Sequence, residues 1–147
     1  MKQLGKFLSL TGEKRYFLIS ALLCLVIIKV ELWVFPFRRL FRRLERAAIR
    51  RDCVVRSNSM PPEEIAWAIR SASRYVPGAR NCLVQAFATQ AMLTRYGYPA
   101  HLRIGVAKDQ AGQLKAHAWV ECKGKIIIGG VDVSKYTPLP ALEVERW

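Results

Sequence analysis

The chain has 147 residues, 52% of them hydrophobic and 10% aromatic, and this composition excludes an intrinsically disordered protein. Its length is typical of one folded unit with a sizeable hydrophobic core. The 24 lysines and arginines against 11 aspartates and glutamates give a formal net charge of +13, which favours acidic partners such as nucleic acid or an anionic membrane surface.

The first predicted element is an apolar helix within residues 16–35. Its uninterrupted apolar core, residues 17–28, is shorter than the roughly 18 to 20 residues that span a bilayer, and Lys29 and Glu31 interrupt its extension. A basic pair precedes this run as in a signal peptide, but no small-x-small cleavage site follows it. We therefore expect a buried helix of a cytoplasmic protein, with membrane association or the docking of a partner protein as the alternatives.

A basic amphipathic helix is predicted next, after Pro36, which ends or kinks the apolar helix. Residues 37–51 contain seven arginines, and apolar side chains recur among them at helical spacing. The arginines form either a solvated face or a binding surface. No helix-turn-helix or zinc signature accompanies them, so a nucleic-acid partner is not expected.

A polar connector, residues 51–60, divides the chain into an N-terminal helical region, 1–60, and a core, 61–147, and we expect the two to fold as one unit. Two prolines followed by two glutamates open the core and are typical of a first helical turn. Proline fixes φ there, and the acids face the positive helix end. The dipeptide Pro77-Gly78 ends this helix.

A second core helix begins at Asn81 or Cys82, and Gly97 is placed as its left-handed cap. Three stretches of alternating or continuous apolar residues follow, with tight turns between them, and they indicate an antiparallel meander. The three stretches are residues 101–106, 114–121 and 125–128. The predicted fold class is therefore α+β, with N-terminal helices before a helix packed on an antiparallel β-meander.

Cys82 and His117 are the candidate catalytic residues. The N–H groups and the dipole of a helix N-terminus favour a thiolate, and a histidine on a later strand can act as its base. Alternatively, both are core residues, since free cysteines are often buried. Zinc binding by Cys82, His101, His117 and Cys122 is a third reading, but their spacing lacks the pairs of structural zinc sites. No metal or other cofactor is expected, and the four cysteines of the chain, without a CxxC pair, favour reduced thiols in the cytoplasm.

Several segments carry a resemblance to a known family. They are Asn81-Cys82-Leu83, residues 93–100 (LTRYGYPA), residues 102–106 (LRIGV) and residues 116–121 (AHAWVE), of which the last is the most specific. From residue 65 onward the sequence resembles the B-proteins, the transglutaminase-like leader peptidases of lasso peptide biosynthesis. The N-terminal third, whose apolar segment runs into residues 36–40 (PFRRL), resembles the helical part of the short, split form of these proteins.

The resemblance implies a papain/transglutaminase-like fold and a cysteine protease triad. It gives Cys82 the role of nucleophile, and His117 the role of general base and later of the acid that protonates the leaving amine. The third member of the family's triad is an acid that orients the imidazole, commonly at the position that Gly129 occupies here. Asp132, the nearest downstream carboxylate, is our candidate for this role, and Glu121 is a weaker one.

The resemblance also implies a reaction and its partners. The B-proteins remove the leader from a ribosomally synthesised precursor so that a partner cyclase can close the macrolactam. In the split form a separate small protein recognises the leader. The expected partners are therefore the precursor peptide, this recognition protein and the cyclase. The alternatives are a non-catalytic binding subunit of the same complex, favoured by Gly129, and acyl transfer by the same Cys/His pair.

Overall fold

The computed structural model describes residues 5–6, 8–9, 11–51, 61–130 and 133–138, without the side chains of 48–51, 133 and 138. Its longer helices are α1 (Gly12–Val34), α2 (Phe37–Arg51), α3 (Pro62–Ser73) and α4 (Cys82–Arg95). The strands that follow are β1 (Ala100–Lys108), β2 (Leu114–Cys122), β3 (Lys125–Ile128) and β4 (Thr137–Pro138), and a 3₁₀ turn at Val133–Lys135 precedes β4. The predicted α+β class is confirmed.

Local signals in the sequence set the ends of the helices. α1 ends at Val34, two residues before Pro36, and α3 begins at Pro62, as the proline pattern predicts. After α4 the backbone turns at Gly97, whose φ is +87°, a conformation that glycine adopts without steric cost. The N–H of Gly97 donates to Thr94 O at 3.0 Å and that of Tyr98 to Leu93 O at 2.9 Å, which together form a Schellman cap.

The described strands form one antiparallel sheet in the order β3-β2-β1-β4. β1 and β2 pair along their whole length, from Ala100 opposite Cys122 to Lys108 opposite Leu114, and this register places Gly105 opposite His117. The predicted three-strand meander is confirmed. β4 was not predicted; it returns from the far side of β3 and pairs with the outer edge of β1.

The hydrophobic core lies between the helices and one face of this sheet. α4 packs on β1 and β2, and Leu102, Ala118 and Val120 of these strands are at most 3% exposed within the core. Because side chains alternate along a strand, the even-numbered residues of β2 face the helices. The odd-numbered residues, among them His117 and Trp119, project from the opposite face.

α1 packs against α3 and α4, and the buried-helix prediction is correct for only one of its sides. Ala21, Leu25 and Ile28 are at most 3% exposed, whereas many large apolar side chains on the other side are open to solvent. The helix runs through Lys29 and Glu31, because Lys29 Nζ donates to Pro77 O and Glu31 pairs with Arg43 at 2.6 Å. Among the described residues, α1 is long and apolar enough to cross a membrane. Only 17% of its most apolar window is buried within the protein.

Candidate active site

Cys82 is the first residue of α4 and is half-buried. Asn81 caps the helix, since its Oδ1 accepts a hydrogen bond from the Leu83 N–H at 2.9 Å. The cap directs the chain so that the Cys82 side chain leaves from the first turn, where the helix dipole and free N–H groups favour an anion.

Two further cysteines are free thiols of a different kind. Burial raises the pKa of the Cys24 thiol to about 11, although Arg95 acts in the opposite direction, and Cys24 Sγ donates to Ala88 O at 3.6 Å. Burial also raises the pKa of the Cys122 thiol. Both groups therefore remain protonated at neutral pH. Of the three cysteines that the structure describes, Cys82 is the one that begins a helix.

His117 lies near the start of β2, and its Nε2 is 2.7 Å from the carbonyl oxygen of Gly129. A carbonyl oxygen only accepts hydrogen bonds, so Nε2 carries the proton in this contact. In the neutral imidazole the lone pair is then on Nδ1, which is the nitrogen left to act as a base. The hydrogen bond thus selects one tautomer of His117 and fixes the plane of its ring.

Gly129 supplies this acceptor from its main chain at the position where the family resemblance expects an acid. Its φ is +78°, in the left-handed region that favours glycine. A Cβ atom at Gly129 would lie 2.6 Å from Ala118 O and 3.1 Å from Trp119 Cα. The close approach to β2 therefore excludes a side chain and brings the carbonyl within reach of His117.

Two aromatic rings pack beside the His117 ring. The ring centroid of Tyr136 is 5.1 Å from that of His117, and that of Trp119 is 6.2 Å away in a stacked arrangement. Gly105, opposite His117 on β1, leaves room for both rings. A Cβ atom there would lie 2.8 Å from Tyr136 Cβ and 2.9 Å from the Trp119 ring.

Neither candidate acid is seen to orient the imidazole. Asp132 lies outside the described residues. The Glu121 carboxylate accepts from Trp119 Nε1 at 3.0 Å and is 3.5 Å from Arg103 Nε, so its hydrogen-bonding capacity is directed away from His117. In the part of the chain that the structure describes, the Gly129 carbonyl is the hydrogen-bond partner of the His117 ring.

Cys82 and His117 lie on elements that pack against each other, but their reactive atoms are not hydrogen-bonded within the described residues. Cys82 packs against the core between helices and sheet. The His117 ring lies with Trp119 and Tyr136, whose side chains come from the opposite face of the sheet. The structure thus brings the two elements together without assembling a thiol–imidazole pair.

The structure does not bring the four candidate zinc ligands together in the described residues either. Within the described ranges, no group of three or more His, Cys, Asp or Glu side chains is arranged to hold a metal ion. His101 Nδ1 instead lies 3.2 Å from Glu45 Oε2. Glu45 Oε1 accepts from Gln90 Nε2 at 2.6 Å and from the Leu102 N–H at 3.1 Å. Sequence reasoning missed this network, whose one signal is that Glu45 is the single acid among the arginines of α2.

The family model of the transglutaminase-like superfamily matches residues 31–141. This range begins inside α1 and includes α2, α3, α4 and the whole described sheet, together with Cys82 and His117. No curated protein and no solved structure gives a significant match to the chain.

Proposed function

Because the chain belongs to the transglutaminase-like superfamily, we propose that it is a cysteine peptidase that removes the leader from a ribosomally synthesised lasso peptide precursor. Membership of this superfamily suggests cysteine protease or acyltransferase chemistry. The finer proposal is supported by the resemblance of residues 116–121 and of the segment around Cys82 to the B-proteins. In this reading the leader is removed before a partner cyclase closes the macrolactam.

The observation that carries the catalytic proposal is the hydrogen bond from His117 Nε2 to Gly129 O at 2.7 Å. It leaves Nδ1 basic on a strand that packs against the helix beginning at Cys82. Nδ1 takes the thiol proton of Cys82, and the thiolate attacks the scissile carbonyl. Collapse of the tetrahedral intermediate breaks the C–N bond, the amine leaves with the proton from His117, and water then hydrolyses the thioester.

The first turn of α4 supplies the electrostatic part of the mechanism. The Cys82 backbone N–H lies at the helix N-terminus, where it can donate to the developing oxyanion. The His117 ring lies with side chains of the sheet face opposite the helices, so the proposed proton transfer requires a rearrangement in the substrate complex that brings the imidazole to the thiol. Gly129 O keeps the imidazole oriented, while Asp132 remains our candidate for a charged group that stabilises the imidazolium.

The proposed setting is a cytoplasmic complex. Its members are the precursor, a separate protein that recognises the leader, and the cyclase. The chain resembles the split B-protein form, which lacks a recognition domain of its own, and this is what supports a separate recognition partner. The resemblance assigns no cofactor to the peptidase.

Cleavage of the precursor by the purified chain with its recognition partner tests the proposal. We expect Cys82→Ala to abolish release of the leader, as followed by mass spectrometry, with the fold and partner binding retained. Cys24→Ser is the matched control, because its hydroxyl can still donate to Ala88 O and the residue has no role in the reaction. Wild-type cleavage by Cys82→Ala would refute the catalytic assignment.

A non-catalytic binding subunit is the second candidate, and the absence of a Cys82–His117 hydrogen bond in the described residues favours it. Iodoacetamide at mildly acidic pH separates the two. A peptidase should be alkylated at Cys82 ahead of Cys24 and Cys122, with the site read by peptide mapping. Equal, slow alkylation of all three would favour the binding subunit. Acyl transfer by the same pair predicts amide products when a primary amine is added.

A further inference from the structure

α1 presents a continuous apolar stripe to solvent. Large apolar residues that are 43% to 87% exposed recur along it at intervals of one, three or four positions. They are Tyr16, Ile19, Leu23, Val26, Ile27, Val30, Trp33 and Val34. At 3.6 residues per turn these positions cover roughly 120° of the helix surface and, at 1.5 Å per residue, a length of roughly 27 Å. No charged residue falls within the stripe.

The opposite side of α1 is fixed to the protein. Ala21, Leu25 and Ile28 are buried against α3 and α4, and Cys24 Sγ donates to Ala88 O of α4. The stripe is therefore neither a buried core face nor a helix free to be surrounded by lipid. It is one flat side of a folded domain, oriented so that a planar surface could contact it along its length.

Arginines flank the C-terminal end of the stripe. The Arg39 guanidinium lies over the Phe35 ring, 5.5 Å from its centroid, and Arg43 pairs with Glu31 at the edge of the stripe. Arg38, Arg42 and Arg46 continue the basic surface along α2, and within the described residues none of these three pairs with a carboxylate. The arginines of α2 line an open groove of about 880 Å³. The protein as a whole carries a formal charge of +13.

We propose that the α1 stripe and the α2 arginines form a peripheral docking surface for an anionic lipid bilayer. The stripe enters the boundary between headgroups and acyl chains, as interfacial amphipathic helices do, and the arginines bind lipid phosphates. Trp33, 87% exposed, lies at the C-terminal end of the stripe, the end nearest in sequence to α2, and tryptophan favours the interface of a membrane. A protein partner would also cover an apolar face. The adjoining arginines, three of which pair with no carboxylate in the part of the chain that the structure describes, favour a surface that is both apolar and anionic.

Vesicle co-sedimentation of the full chain tests this surface. We expect binding to a two-to-one mixture of phosphatidylcholine and phosphatidylglycerol, and much weaker binding to phosphatidylcholine alone. The pair Leu23→Glu and Ile27→Glu should abolish binding. The control pair, Tyr75→Glu and Leu114→Glu, adds the same charge at exposed apolar positions outside α1 and should bind like wild type.

The arginines are tested separately. Neutralising two of them, with Arg38→Gln and Arg42→Gln, should weaken binding to the anionic vesicles by at least about tenfold, because each basic residue near such a surface is worth about 1 kcal/mol. The control pair Lys108→Gln and Lys123→Gln removes the same charge elsewhere and should have a smaller effect. Equal losses in the two pairs would show that net charge, rather than this surface, drives binding, and would overturn the proposal.

Insertion of the stripe is read from tryptophan fluorescence. Brominated phosphatidylcholine in the anionic vesicles should quench the wild-type protein, and Trp33→Phe should remove more of that quenching than Trp67→Phe or Trp147→Phe, since the fourth tryptophan, Trp119, is buried. A loss of quenching in Trp33→Phe no larger than in these two controls would contradict the proposal. So would a wild-type protein that stays in the supernatant and instead forms a dimer that the Leu23 and Ile27 pair disperses, because the stripe would then bind a second copy.

Discussion

A neutral imidazole has one protonated and one basic nitrogen, and at His117 a main-chain oxygen decides which is which. The Gly129 carbonyl accepts from Nε2 and leaves Nδ1 for base chemistry. A carbonyl carries no full charge, so it orients the ring but stabilises an imidazolium less than a carboxylate would. The family resemblance points to position 129 for an acid, and the structure shows why a side chain does not fit there.

Replacing Gly129 by alanine tests how much this arrangement depends on glycine. Gly129→Ala should lower the free energy of unfolding in urea by more than about 2 kcal/mol, because φ strain adds to a clash with Ala118 O. Gly124→Ala is the matched control, since Gly124 has a φ of +76° with open space around its Cβ position, and strain alone should cost about 1 kcal/mol. Equal losses at the two sites would contradict the role of the close approach.

Cys24 predicts how stability depends on alkaline pH. Its thiol pKa is about 11 in the folded chain against an ordinary value of 9.0, so between these values the unfolded state binds fewer protons. Stability should therefore fall as pH rises from 9 to 11, by at most roughly 2 to 3 kcal/mol from this group. Thermal melts of wild type and Cys24→Ala across this range measure the effect. Parallel curves for the two proteins would contradict it.

The elements differ in how far the sequence predicts them. Pro62, Asn81 and Gly97 act on the residues next to them, so the ends of α3 and α4 follow from local chemistry alone. β4 and the Glu45 network depend on contacts between distant parts of the chain, and no local pattern marks them. The same holds for the Gly129 carbonyl, because every residue type carries that oxygen. The sequence indicated Cys82 and His117 as the candidate pair, but it could not predict how their reactive atoms are placed relative to each other.

Glu45 joins three elements, and its removal should loosen all of them. In Glu45→Ala the Leu102 N–H loses its acceptor, and Gln90 Nε2 keeps only its 3.2 Å contact with Ala100 O. We expect a loss of about 2 to 4 kcal/mol in the free energy of unfolding, since the Leu102 N–H is left without its acceptor and the Gln90 amide with a single, longer contact. Glu63→Ala breaks an exposed pair with Lys125 and should change stability little. A comparably small effect of Glu45→Ala would contradict the proposed role of the network.

On the scale of the whole molecule, α1 serves two surfaces at once. Its inner side completes the core with α3 and α4, and its outer side is the exposed stripe. The family match begins at residue 31, inside this helix, and the residues of α1 before it also contribute to the core. The predicted division of the chain at residue 60 stays a prediction, since residues 52–60 lie outside the described ranges.

Because α1 contributes both to the core and to the exposed stripe, we predict that the rest of the chain cannot fold without it. Deleting residues 1–34 removes Ala21, Leu25 and Ile28 from the core, and the remaining chain should lose its cooperative thermal transition. The Leu23→Glu and Ile27→Glu pair changes only the outer side and should keep a melting temperature close to that of wild type. A truncated chain that melts cooperatively near the wild-type temperature would show that the core is complete without α1.

The main-chain acceptor at Gly129 also affects how this protein should be compared with its superfamily. A survey of catalytic side chains would class this protein as inactive, because it would find no acid at position 129. An alanine scan would report a defect at Gly129 but attribute it to stability. In the proposed mechanism the group that orients His117 is instead a main-chain carbonyl, positioned by a φ of +78° and by contact with β2. A carbonyl acceptor of this kind can be recognised only from the backbone geometry, because every residue type carries the same oxygen.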